Sequence, residues 1–168
     1  MQPSVRPYAS EDIAAIVTLS LRAWAPVFAS LRNAIGGRLF ELLRGDWHEG
    51  QAADVRRVIN DQAVTVWVAE VDARIVGFVA ATVPADSEIG EIVMVAVDPD
   101  CQGAGIGSSL TGWATRWLLE SGARVAMVET GGDPGHLAAR RTYEAAGFTP
   151  LAITRYFKML EPPRSDSG

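Results

Sequence analysis

The chain is nearly devoid of cysteine. A single one, Cys101, among 168 residues excludes an internal disulfide framework and fits a reducing, cytoplasmic compartment. Histidine is as scarce: only His48 and His136 are present, with no ligand-spaced cluster around either, so no metal is expected. Charge of one sign is weak. A formal net charge of −5 disfavours nucleic acid as a partner and is compatible with an amine substrate without selecting one. No apolar run reads as membrane-spanning and the N-terminus shows no basic-then-apolar signal pattern, so no membrane partner is expected. Internal repeats are absent. What the chain does have is apolar residues, 48% of the total. That is enough for one globular domain with a sizeable core over residues 1–160, followed by a polar, proline-rich tail at 161–168.

Glycine is concentrated in one informative place. Val93-Met94-Val95-Ala96-Val97 reads as an apolar strand, Asp98-Pro99-Asp100 as a turn, and Cys101-Gln102-Gly103-Ala104-Gly105-Ile106-Gly107-Ser108 as a bend opening into a helix. Glycines at 103, 105 and 107 remove side chains that would hold a ligand off the backbone. The first helical turn leaves N–H groups without partners at the positive end of the helix dipole. Strand, glycine bend and helix N-terminus together make an anion site, most often for phosphate or pyrophosphate. Two familiar versions do not fit. A dinucleotide fingerprint needs G-x-G-x-x-G directly after its strand, whereas position 108 is Ser and Asp98 to Gln102 intervene, even though Glu129 lies at about the distance of a ribose-binding acid. A nucleoside-triphosphate loop needs Gly-Lys-Ser/Thr, and the bend has no lysine.

The run Gln102-Gly103-Ala104-Gly105-Ile106-Gly107 resembles the Gln/Arg-x-x-Gly-x-Gly/Ala signature of the GNAT superfamily of acyl-CoA N-acyltransferases. Downstream, Asp133-Pro134-Gly135-His136-Leu137-Ala138-Ala139-Arg140-Arg141-Thr142-Tyr143-Glu144-Ala145-Ala146-Gly147-Phe148 opens on an N-cap Asp with Pro at the first helical position and closes on a Gly suited to a left-handed cap. It resembles that family's Asn-x-x-Ala-x-x-x-Tyr-Glu-x-x-Gly-Phe segment. Ala139, Tyr143, Glu144, Gly147 and Phe148 match in place, and His136 stands where the family has Asn. The resemblance covers most of residues 60–160. It implies an α+β GNAT fold: a mixed, mostly antiparallel central sheet flanked by helices, with a splayed strand, glycine bend and helix as the cofactor site. It further implies acetyl-CoA as cofactor. The pyrophosphate would lie on Gln102, Gly103, Ala104, Gly105, Ile106, Gly107 and Ser108. The pantetheine arm would lie along Met94, Val95, Ala96 and Val97 as an added strand, with further cofactor contacts from His136, Ala139 and Tyr143.

The coarse element reading agrees with such a sheet. It expects a strand at Ser4–Tyr8 and a helix after Ser10 that Pro26 ends or kinks. Helices are expected over Arg32–Arg44 and Ala52–Ile59, with a loop from Gly45 to Gly50 between them. Strands are expected over Val64–Val71 and Ile75–Val83, joined at Asp72-Ala73-Arg74, then at Glu88–Val97 and Val125–Glu129. A helix follows the bend up to Gly122, another covers Asp133–Ala146, and Thr149–Leu160 is expected to supply one or two last strands.

Acyl transfer to an amine requires loss of an ammonium proton, donors for the carbonyl oxygen, and an acid for the leaving thiolate. By the resemblance, Tyr143 is that acid. Strict alternation puts Glu91, Val93, Val95 and Val97 on one strand face, and a carboxylate sharing a face with three valines is the best candidate base; Glu88 and Asp86 are weaker ones. Gly90–Val97 also looks like the matching strand of the histone-acetyltransferase branch, whose Glu acts as base through water. His136 reads as a cofactor contact ahead of a proton carrier. Cys101 lacks a base partner evident in the sequence, which favours direct transfer over an acyl-cysteine route. Trp24, Phe28, Trp47 and His48 fall in the region that lines the family's acceptor pocket, where they would select the acceptor or serve as core or dimer contacts. The expected activity is N-acetyl transfer to a primary amine of a small molecule or protein. A catalytically silent acyl-CoA-binding or sensing domain on the same fold is the alternative, and a homodimer is left open.

Overall fold

The computed structural model describes residues 3–160. The tail expected at 161–168 lies outside the described residues. Five strands pair in the order β1-β2-β3-β4-β5, with β1 Ser4–Pro7, β2 Thr65–Val71, β3 Arg74–Thr82, β4 Ile89–Val97 and β5 Val125–Val128. The first four pair antiparallel, and β4 pairs with β5 in parallel. That parallel pair needs a crossover, which is helix α4, Ile106–Glu120. The β2–β3 hairpin closes on two residues, Asp72 and Ala73, both with positive φ, the handedness that matches strand twist. Arg74 therefore belongs to β3 and not to the turn.

Each sheet face has its own core. On one, Ile16, Leu19 and Val55 pack against Val68, Phe78, Ala80 and Ala96. On the other, Ile106, Leu110, Ala114 and Leu118 pack against Trp67, Val79, Ala81 and Ile92. The first core belongs to α1, Ile13–Ile35, and α3, Trp47–Asn60. The second belongs to α4, and a short α2, Gly37–Arg44, links α1 to α3. A last helix, α5, Leu137–Ala145, follows a 3-10 turn at Pro134–His136.

Four sequence expectations are corrected. Pro26 does not end α1, which runs through it to Ile35. The lost bond to the Arg22 carbonyl costs about 3 kcal/mol, and the turns beyond it offset that by burying Phe28 and seating the Pro134–His136 turn against Val27 and Ser30. The loop expected from Gly45 to Gly50 is shorter, because the Asp46 carboxylate caps the amides of His48 and Glu49 at 3.0 and 3.4 Å and starts α3 at Trp47. Residues 149–160 form no strand. Leu151, Ile153, Tyr156 and Leu160 are each at least 80% exposed, and a strand needs a ladder partner, which this stretch lacks among the described residues. Finally, the 26 residues from Ser10 to Ile35 are long and apolar enough to cross a membrane. Here one face of that segment, through Ile16, Val17, Leu19 and Phe28, is buried in the protein.

The sheet is tied to α1 at its first turn. Arg6 on β1 donates to both Asp12 oxygens at 2.7 and 3.0 Å and to Glu70 on β2 at 2.9 Å. Hydrogen bonds from Arg6 and the Ala9 amide hold the Asp12 carboxyl below its ordinary range against the opposing effect of burial. Asp12→Ala leaves these donors unpaired and is expected to cost about 1–3 kcal/mol at neutral pH. A carboxylate with a lowered folded pKa stabilises above its unfolded pKa and loses that contribution as pH falls through the folded value. Urea melts at neutral and acid pH should therefore show the gap between wild type and variant closing in acid; a gap that stays constant contradicts this reading.

Candidate functional site

β4 is longer than its partner. Ile89 to Ile92 register with Val125 to Val128, and β4 then continues alone to Val97. Its β5-facing edge from Val93 to Val97 therefore lacks a ladder partner among the described residues. The cleft this opens, about 280 Å³, is walled by Ile92–Val97 on one side and Val128–Thr130 on the other. Ala23, Trp24 and Val27 of α1, the start of α4, and His136, Ala139 and Tyr143 close it. Unpaired backbone groups lining a cleft call for a ligand or water to pair with them. Thr111, fully buried in the α4 wall, adds a hydroxyl with no partner among the described residues.

The glycine bend forms one end of this cleft. Gly103 and Gly105 both have positive φ, 78° and 79°, and an added Cβ at either would meet no protein atom within 4 Å. The bend thus presents bare backbone to open space. The first bond inside α4 runs from the Ser109 N–H to the Gly105 carbonyl at 2.9 Å, leaving the amides of Ile106, Gly107 and Ser108 without helical acceptors. The Gln102 side-chain amide turns back to the Val97 carbonyl at 3.3 Å. This donor set suits a phosphate or pyrophosphate, and the adjoining strand edge suits an amide-bearing arm.

A buried carboxylate braces the bend from below. Asp98 is 3% exposed. It accepts from Arg22 Nη1 at 2.8 and 2.9 Å, from Arg74 Nη2 at 2.7 Å, and from the Asp100 amide at 3.0 Å. Arg22 also reaches Asp100 at 2.8 Å, and its guanidinium holds that carboxyl below its ordinary range. The bend is thereby fastened to β3 and α1. Neither arginine was singled out in the sequence; its only signal was the Asp-Pro-Asp turn.

Of the expected cofactor residues, Val95, Ala96, Val97, Gln102, Gly103, Ile106, Gly107, His136, Ala139 and Tyr143 line the cleft. Ala104, Gly105 and Ser108 sit exposed on the bend beside it. The cleft also takes in residues the sequence did not suggest: Ala23, Val27, Thr111, Val128 and Thr142. Of the four rings expected at an acceptor pocket, Trp24 alone lines it. Phe28, Trp47 and His48 form a separate stack, with ring centroids 4.6 Å apart for Phe28–Trp47 and 3.6 Å for Trp47–His48.

The alternation expected for β4 is broken. Ala80 registers with Met94 and Ala81 with Ile92, so Val93 is an extra residue in a bulge. Ile92, Val95 and Val97 pack toward α4, while Val93 and Met94 pack toward α1 and α3. Glu91, one position before Ile92, therefore shares the α1 side with Val93 and not the face of Val95 and Val97. It is half-buried and is not among the residues lining the cleft. Tyr143 is buried at 7% exposure, and burial pushes its hydroxyl up to about 12. At neutral pH it is therefore a proton donor.

Three comparisons bear on this arrangement. A sequence model of the acetyltransferase (GNAT) family matches residues 37–148. Among curated proteins, a mycothiol acetyltransferase of Sanguibacter keddieii is 42% identical over 91 residues, covering 51% of this chain and 28% of that protein. One of Streptomyces coelicolor is 32% identical over 108 residues, covering 60% and 34%. The chain thus spans about a third of the length of these curated relatives. Among solved structures, the aminoglycoside N-acetyltransferase AAC(6')-Iy in complex with CoA superposes with a TM-score of 0.65 at 16% identity, covering 94% of each chain. The ribosomal-protein-S18-alanine N-acetyltransferase of Escherichia coli gives 0.65 at 19%, covering 91% of this chain and 81% of that one. At these identities the superpositions speak to the fold.

The Tyr143 environment yields a direct check. A phenol whose pKa is near 10 unfolded and about 12 folded keeps its full contribution to stability below pH 10 and loses it as pH rises toward 12. Across that interval wild type should lose stability relative to Tyr143→Phe in alkaline urea melts. Parallel alkaline profiles would mean that the hydroxyl is solvated.

Proposed function

The chain belongs to the acetyltransferase (GNAT) family, whose members use acetyl-CoA, and on that premise we propose that it transfers an acetyl group directly to a primary amine of a small molecule or protein. The observation that carries this reading is the continuity of the unpaired β4 edge, Val93–Val97, with the bare-backbone bend at Gly103–Gly107. When bound, acetyl-CoA supplies an acetyl group activated as a thioester, with a thiol as leaving group. The amides of Gly103 to Ser108 would hold its pyrophosphate and the Val95–Val97 backbone its amide-bearing arm, with Ala139 beside them.

Tyr143 holds its proton on Oη to high pH and stands in the same cleft. In this reading it gives that proton to the departing sulfur. Glu91, half-buried at the α1 side of β4, lies outside the cleft lining. Trp24 and Val27 give the cleft an apolar acceptor wall. The names of the mycothiol and aminoglycoside acetyltransferases favour a small-molecule acceptor, and that of the S18-alanine enzyme keeps a protein amino group in view.

Calorimetry with CoA, followed by thiol release with acetyl-CoA against a panel of amines and amine-bearing peptides, tests the reading. Binding with turnover supports it. Binding without turnover on any amine would mark an acyl-CoA-sensing domain, and absence of binding would remove the site. Two substitutions sharpen the test. A Cβ at Gly107 would make only ordinary contacts, 3.7 Å to Thr142 and Val97, so Gly107→Val should fold and lose at least tenfold in CoA affinity; unchanged affinity places the cofactor elsewhere. Tyr143→Phe should lower kcat by about 10²–10⁴ with little change in KM for acetyl-CoA, as removal of a general acid does. A rate within twofold of wild type reduces Tyr143 to packing.

A further inference from the structure

Between β5 and α5 the structure builds a second proton-handling group that acetyl transfer as described above does not use. His136 Nδ1 lies 2.5 Å from Asp133 Oδ1, across a part-buried contact. In a neutral ring so placed, the proton sits on Nδ1 and is donated to the carboxylate, and Nε2 carries the free lone pair. The carboxylate is itself fixed. Asp133 Oδ2 accepts from the Gly135 amide at 3.0 Å, and the Ser30 hydroxyl of α1 helps hold the carboxyl below its ordinary range. The same Gly135 amide reaches Ser30 Oγ at 2.9 Å. Arg140 Nη1 ties the loop by donating to the Gly131 and Asp133 carbonyls at 2.6 and 2.9 Å.

Two glycines make room for this pair. A Cβ at Gly131 would overlap His136 Nδ1 and Asp133 Oδ1. A Cβ at Gly135 would stand 2.7 Å from Ser30 Cβ and 2.9 Å from Val27 Cα, closer than atoms can sit without a shift of α1 itself. The loop therefore closes around an ordered carboxylate–imidazole dyad, and His136 belongs to the cleft wall together with Tyr143.

We propose that His136, oriented by Asp133, is the base that takes the proton from the acceptor amine through Nε2. The inference rests on the acetyl-transfer reading above. For each acetyl group moved, the amine nitrogen forms one bond to the acyl carbon and gives up one proton. The sulfur keeps the electron pair of the broken carbon–sulfur bond and takes one proton. His136 receives the first, Tyr143 supplies the second, and exchange with solvent resets both. Burial pushes the Asp133 carboxyl up, but hydrogen bonds from Ser30, His136 and Gly135 outweigh it and hold the group below its ordinary range, so it stays ionised while the imidazole works. The other titratable groups lining the cleft are Glu129 just past β5, Tyr143 on α5 and Cys101 before the bend, with Arg140 on the loop carbonyls; the α1 wall, Ala23, Trp24 and Val27, contributes none. Glu91 does not line this cleft.

The test pairs imidazole ¹⁵N spectroscopy of the free protein with pH–rate profiles. Wild type should show neutral His136 as the Nδ1–H tautomer, and Asp133→Asn should redistribute the proton between the two nitrogens. His136→Gln should abolish the acidic limb of the kcat profile and lower kcat by about 10²–10⁴, while the CoA dissociation constant stays within threefold. Asp133→Asn should shift the midpoint of that limb. A predominantly Nε2–H tautomer in wild type overturns the proposal. So does a His136→Gln limb of unchanged midpoint and height, or a limb that disappears in Glu91→Gln instead. A CoA dissociation constant that rises in step with the lost rate also overturns it, by making His136 a cofactor contact. Wild type that neither binds CoA nor releases thiol overturns the acetyl-transfer reading and the base role together, whereas normal turnover in His136→Gln overturns the base role alone.

Discussion

The parting of β4 from β5 is the constraint on which the rest of the molecule turns. The two strands pair for four residues, and β4 then runs on for five with one edge unpaired. Backbone N–H and C=O groups lose several kcal/mol of hydrogen-bonding energy when buried without partners, so such an edge persists only where water or a ligand reaches it. The Val93 bulge falls at the first residue past the paired segment, and bulges increase local twist and bend a strand. The bend, the cleft and the wall of α5 are all arranged around that opening.

Helix α1 is the common wall that registers these parts. Arg22 clamps it to the bend through Asp98 and Asp100. Just beyond it, Ala23, Trp24 and Val27 face the cleft, and Ser30 holds the turn that carries Asp133 and His136. A single long helix thus fixes the glycine bend and the dyad relative to each other. This explains why α1 is kept continuous across Pro26 at the cost of one backbone bond. The polar ties are short and charged at the bend and neutral at the dyad turn, and the apolar stretch between them shapes the cleft.

Much of this was legible in the sequence where function depends on local backbone chemistry. Gly103 and Gly105 have the positive φ that a glycine bend suggested, Asp133 caps its turn as its position before Pro134 implied, and Gly147 adopts the left-handed cap. The mixed sheet was expected from the family resemblance, and the observed order is β1-β2-β3-β4-β5. Features set by pairing or by distance in the chain were not legible. No residue type marks the Val93 bulge, and one extra residue moves Glu91 off the face that alternation assigned to it. Leu151 and Ile153 suit a strand, but a strand exists only where a ladder partner does. Phe28, Trp47 and His48 are aromatic in the expected region, yet they stack on one another and only Trp24 turns to the cleft. The Asp133–His136 spacing was visible, while its anchor, Ser30, lies more than a hundred residues earlier and could be found only in the fold.

The central claim is that the free edge of β4 and the glycine bend receive the acetyl donor. Amide hydrogen exchange measured with and without saturating CoA addresses it most directly. The account predicts that protection rises at Val93–Val97 and Gly103–Ser108 together, with little change in β1–β3. Binding that leaves both segments exchanging as in the free protein, or that protects a different face of the sheet, would contradict it.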